Sequence, residues 1–144
     1  MKLRILNLAI VTLLFIPGGV LATEDWEKKW KDQGWVKIHL KLGVNTNVTL
    51  YGINGREKSS WIQYIHPDGK KASFQFFKGA TVHILNRTYK SDGRVCNSNK
   101  VFWGDKEACR TLWKKGDLYM SVTDIGIENW VFTIKKGNPE NIKY

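Results

Sequence analysis

Between residues 35 and 89, apolar and polar side chains alternate one by one in short runs cut by turn-forming residues. A period of two marks a strand with one buried face, and a helix cannot satisfy it. Trp35 to Leu42 shows it most clearly. Val36, Ile38, Leu40 and Leu42 fall on one side, and Trp35, Lys37, His39 and Lys41 on the other. Asn47 to Ile53 ends at Asn54-Gly55, a dipeptide suited to a tight hairpin. Ser59 to Ile65 and Lys71 to Phe77 flank the reverse-turn residues His66-Pro67-Asp68-Gly69, where Asp68 can accept from nearby amides and His66 is expected to be solvated. Thr81 to Tyr89 gives a fifth run, with Val82 and Ile84 expected inward. Leu118 to Thr123 and Trp130 to Lys135 follow, joined around Gly126.

Two segments read as helices. Thr23 can cap the first, running to Gly34, with acidic residues early, lysines late, and Trp26 and Trp30 on one face. Asp105 can cap a second, running to Lys115, with Ala108, Cys109, Leu112 and Trp113 on one face and Gly116 closing it. Ser91 to Gly104 reads as an irregular loop.

The order is helix, five strands, helix, two strands, without βαβ alternation. The expected fold is mainly β (α+β): a small antiparallel β-barrel or sandwich with an N-terminal helix and one helix before the last two strands. Oligonucleotide/oligosaccharide-binding (OB) barrels also insert a helix, so an OB-like barrel fits this element order.

Residues 1–22 have the parts of a signal peptide: Lys2 and Arg4, an apolar stretch from Ile5 to Ile16, then Pro17-Gly18-Gly19 and Val20-Leu21-Ala22. The stretch is shorter than the roughly 20 residues that span a bilayer. Residues 23–136 form one domain and 137–144, with Pro139, a flexible tail. The mature chain is expected to be secreted or periplasmic. In that compartment Cys96 and Cys109 close a disulfide, stabilising by about 3 kcal/mol and pinning the loop to the second helix.

No P-loop, Gly-x-Ser-x-Gly or His-x-x-x-His pattern is present, and two cysteines without a nearby histidine make a poor zinc site. Neither a cofactor nor a metal is expected. The formal net charge of +10 falls to +8 without Lys2 and Arg4, and seven tryptophans are present. Cations with stacking groups on a rigid sheet suit an acidic protein or a glycan, and nucleic acid less well in an exported protein. The expected function is therefore non-enzymatic recognition, with Trp35, Lys37, His39, Lys41, Trp61 and Lys71 as binding residues. Trp61 and Trp103 fit core packing as well as ligand stacking. Alternatives are a receptor-binding subunit of an oligomeric toxin or adhesin, a periplasmic inhibitor or immunity protein, and a secreted nuclease. The nuclease would need His39 and His83 as neighbours.

Overall fold

The computed structural model describes residues 25–41, 47–55, 57–124, 126 and 129–143. Helix α1 (Trp26–Asp32) leads into a short strand, β1 (Val36–Ile38). Next come β2 (Val48–Asn54), β3 (Ser60–Ile65), β4 (Lys71–Gln75), β5 (His83–Tyr89) and β6 (Val95–Ser98). A single helical turn, α2 (Lys100–Trp103), precedes β7 (Glu107–Lys115), β8 (Leu118–Thr123) and β9 (Asn129–Lys136). From β2 to β9 each strand pairs antiparallel with the next, and β9 returns to β2, closing an eight-stranded barrel. The expected small antiparallel barrel is thus observed. Its staves run strictly up and down, so the OB-like option, a Greek key, does not describe it.

The ninth strand completes the wall. β6 covers only Glu107 to Arg110 of β7, and β1 pairs with Leu112, Trp113 and Lys114 beyond it. The two short strands together act as one stave. Ile38 and Leu40 pack against the barrel core, as their alternation predicted, whereas Val36 is 64% exposed. Regular pairing stops at Ile38, short of the expected Leu42, and residues 42–46 lie outside the described residues.

Two outer faces are covered. Asp25 caps α1 by accepting from the Lys28 amide; the expected cap, Thr23, and the leader lie outside the described residues. Trp30 seats the helix on Trp113, Met120 and Val122, which point out of β7 and β8, and Trp35 joins this cluster. The segment after β9, expected to be a loose tail, crosses the outside of β2. Thr49 donates to the Gly137 carbonyl, Tyr51 to Glu140, and Ile142 is buried. Among the described residues, no helix is long and apolar enough to cross a membrane.

Four expectations are corrected. The segment expected as a second helix, from Asp105 to Lys115, is strand β7. Its inner side meets the barrel interior and its outer side meets α1, so both faces are half-buried and the alternation is blurred. Consequently the one helix after the barrel has begun precedes three strands, not two, and part of the expected loop, Val95 to Ser98, is β6. The disulfide joins facing residues of β6 and β7, bracing two strands where a loop and a helix were expected. Finally, β5 turns Leu85 and Arg87 inward, leaving Ile84 outside and 38% exposed.

His66, expected in water, is only 6% exposed, with Nε2 2.9 Å from Ser73 Oγ. Burial pushes its pKa below the ordinary value; Asp68 opposes that shift and Lys71 reinforces it. The unfolded chain therefore takes up the proton first, and stability rises with pH across this window. The contribution is complete above the unfolded value of 6.5 and is lost as pH falls through the lower native value. Denaturant midpoints should drop between about pH 7 and pH 5, above the carboxylate range. His66→Gln should flatten that slope; an unchanged slope would assign it to another group.

Candidate ligand-binding cavity

The barrel interior is not filled. Ile65, Ala72 and Leu85 pack one part of it together with Ile38 and Leu40. Beyond them lies a cavity of about 280 Å³, close to the lower end of the range of small-molecule sites, roughly 300–1,000 Å³. Inward positions of six strands supply its apolar wall: Leu50, Trp61, Phe74, Val95, Leu112, Trp130 and Phe132 include the main contributors. Trp61 lies 5.4 Å from Trp130 and 5.8 Å from Phe132 between ring centroids, giving a tilted aromatic group. Phe76, Phe102 and Trp103 line the end nearest α2, and Phe76 is 46% exposed, so the cavity reaches the surface there.

The polar lining is concentrated and positive. Gln63, Arg87, Asn97, Arg110 and Ser121 reach it from β3, β5, β6, β7 and β8, and none of the described residues that line it is acidic. The register explains the grouping: Arg87 faces Asn97 across one ladder, and Asn97 faces Ala108, two residues before Arg110, across the next. Arg110 holds its guanidinium 4.5 Å from the Trp130 ring centroid. Arg87 is 5% exposed. Its Nε donates to the Tyr89 hydroxyl at 3.3 Å, and its Nη1 makes a weak 3.5 Å contact with Gln63 Oε1. Desolvation lowers its pKa, and Tyr89 partly offsets that. A buried cation held only by neutral oxygens is costly, because Coulomb attraction to a counter-ion is what normally compensates its lost hydration.

Five further polar side-chain atoms are buried without a hydrogen-bond partner among the described residues; Trp30 Nε1 and Glu140 Oε2, which also faces Lys78, lie elsewhere, and the other three are Trp61 Nε1, Trp130 Nε1 and Asn97 Oδ1. All three residues line the cavity. Native proteins leave few such groups unsatisfied, so their gathering around one hollow space points to a polar guest. The arrangement offers donors and two cations on one side and ring faces on the other. Among the described residues that line it, no nucleophile is paired with a base.

The sequence-predicted site residues are not brought together. Trp61 is in the cavity, 4% exposed. Trp35 packs beside α1, and Lys37 forms an ion pair with Glu27 of that helix. A cleft beside them, reaching Trp26 and Trp30, has its other charges paired as well, Arg94 with Asp92 and Asp124. His39 is exposed and lies against Gly93, where a Cβ atom would come within 2.4 Å of the imidazole. Lys41 is exposed, and Lys71 is exposed on β4. His83 stands at the cavity end of β5, 4.7 Å from Phe102 between centroids. The full length of β5, roughly 20 Å at 3.3 Å per residue, separates it from the turn that holds His39. They cannot act on one phosphodiester.

The binding residues expected from the sequence do not include Arg87, Asn97 or Arg110. The available signal was an arginine at every second position from an apolar residue: Leu85-x-Arg87 and Arg110-x-Leu112. In comparisons with known proteins, no family model, no curated protein and no solved structure matches this chain. Fold and site define it as an eight-stranded up-and-down barrel with a hollow, aromatic and cationic interior.

Gly52, in the middle of β2, makes the space for Trp61: a Cβ there would lie 2.2 Å from the indole. Gly52→Ala should displace the ring and cost about 1–3 kcal/mol, as overpacking usually does. Urea denaturation and the near-ultraviolet circular dichroism of tryptophan read both effects. Unchanged stability and spectrum would mean that the indole is not seated on Gly52.

Proposed function

We propose that this chain binds a small amphipathic anion inside its barrel, without transforming it. The guest has an aromatic or branched hydrocarbon body and one carboxylate or similar oxyanion. Arg87 carries this reading: it is a buried guanidinium with no acidic residue on the cavity it lines. An oxyanion would supply the missing counter-charge, and in a low-dielectric pocket that pairing is stronger than in water. Trp61 and Phe74 fit the apolar body, while the indole N–H groups supply further donors. The residues of the leader and the Cys96–Cys109 bridge support action outside the cytoplasm. The recognition role expected from the sequence is kept, but its site moves from the outer face to the inner one. An acidic protein or glycan on the outer face has weaker support, since Lys37 is already paired.

An anilinonaphthalene sulfonate dye, then aromatic and medium-chain carboxylates in competition, tests the reading by fluorescence. Arg87→Met should weaken carboxylate binding by about 10- to 100-fold, the worth of a charged hydrogen bond. The same variant should be as stable as the parent or more so, because an unpaired buried cation is removed. Opposite signs separate loss of a binding group from loss of fold. No competition by any carboxylate, or undiminished affinity in R87M, would refute the proposal.

A further inference from the structure

Seven large apolar side chains are exposed among the described residues, and four of them, Phe76, Phe77, Ile84 and Val101, belong to the segments around the cavity end that Phe76, Phe102 and Trp103 line. Phe76 contacts Phe102 of α2 edge-on, 6.0 Å between centroids. Asn99, which caps α2, donates from its side chain to the Ile84 carbonyl at 2.7 Å, fixing that helix against β5. Phe77 and Val101, 63% and 74% exposed, stand out from these two segments. The apolar rim is continuous with the apolar lining, through Phe76 and Phe102.

We infer that this rim docks on an anionic lipid surface, with the barrel mouth facing the bilayer. The charges beside the rim favour lipid over protein. Loops 76–82 and 99–106 carry Lys78, Lys100 and Lys106 against one acid, Asp105. Lys100 and Lys106 are exposed, and Lys78, though paired with Glu140, keeps 77% of its side chain in water. Protein interfaces are depleted in lysine. Aromatic side chains flanked by lysine are instead the composition of segments that lie in the headgroup region. The net charge of +10, or +8 without Lys2 and Arg4, adds long-range attraction to an anionic leaflet. Rings around the mouth would enter the interface, and the cavity would open toward the acyl region. The rim can dock whatever the cavity holds; its purpose, uptake or delivery of an amphiphile, rests on the proposed ligand.

The test is co-sedimentation of the mature chain with vesicles of phosphatidylcholine alone and with 30 mol% phosphatidylglycerol, on the order of the anionic content of many membranes. The expected result is retention on the anionic vesicles, reduced by salt. Phe77→Ser with Val101→Ser should lower partitioning by 10-fold or more, and Lys100→Gln by about 5-fold. All three side chains are exposed, so dye binding in the cavity should persist in these variants and report a native fold. Arg87→Met should lose the carboxylate and keep the vesicles, which separates failure of the two readings. No retention on anionic vesicles, or retention indifferent to the Phe77 and Val101 changes, overturns the inference.

Discussion

Seven consecutive pairings between β2 and β9, from Val48 with Lys136 to Asn54 with Trp130, close the sheet on itself. Every other property of the molecule depends on that seam. It joins the first stave to the last, so the ladder has no open edge along those strands. It also creates an inside. Eight strands enclose a space only just wide enough for side chains to fill or for one small ligand to occupy. Here both outcomes occur along one barrel. Ile38, Leu40, Ile65, Ala72 and Leu85 pack part of the interior, and the cavity takes up the remainder.

What surrounds that space sets fold stability against binding. Arginine at an inward strand position adds nothing to packing that leucine would not add better, and it carries a desolvation cost. Arg87 is held in place by Tyr89 and Gln63, neutral groups that orient the guanidinium without neutralising it. Unpartnered indole N–H groups and the Asn97 oxygen repeat the theme. An apolar core of the same size would be more stable and would bind nothing charged. The rest of the barrel supplies the offset: the long ladders, the disulfide beside Asn97 and Arg110, and two covered outer faces.

The same tension decides how far the sequence could be read. Strand existence was legible wherever one face was apolar and the other polar, as in Asn47 to Ile53 and Ser59 to Ile65. The frame of β5 was not. Polar side chains are assigned to the outside by rule, so an inward Arg87 moved the assignment by one residue and turned Ile84 inward on paper. β7 failed for a related reason. Arg110 faces in, Trp113 faces out against α1, and the remaining apolar positions mimic a helical stripe. Both errors fall on the strands that bring arginine into the cavity. Local pattern and global fold disagree at these positions, which is where a binding site of the kind proposed would break the pattern. The outer basic face was partly legible: Lys37 does point away from the barrel core, but α1 lies over it, and covering by a distant segment leaves no trace in a strand's alternation.

Covering also decides where the molecule can meet anything else. α1 occupies the outside of β7 and β8, and residues 137–142 cross the outside of β2. Trp113 and Thr49, both outward, are consequently almost wholly buried, and the buried Ser73 on the outside of β4 is bonded by His66. A sheet whose apolar outer patches are already shielded has little surface left that water disfavours. Val36, Ile53 and Leu118 are exposed on three different strands, and the other four exposed large apolar side chains among the described residues belong to the end where β4 gives way to β5 and β6 to α2. Phe77 and Val101 are exposed there, although polar residues at these positions would leave the barrel intact. Exposed apolar side chains that stabilise nothing internal, placed beside an opening of the cavity, are what the proposed docking on lipid would use.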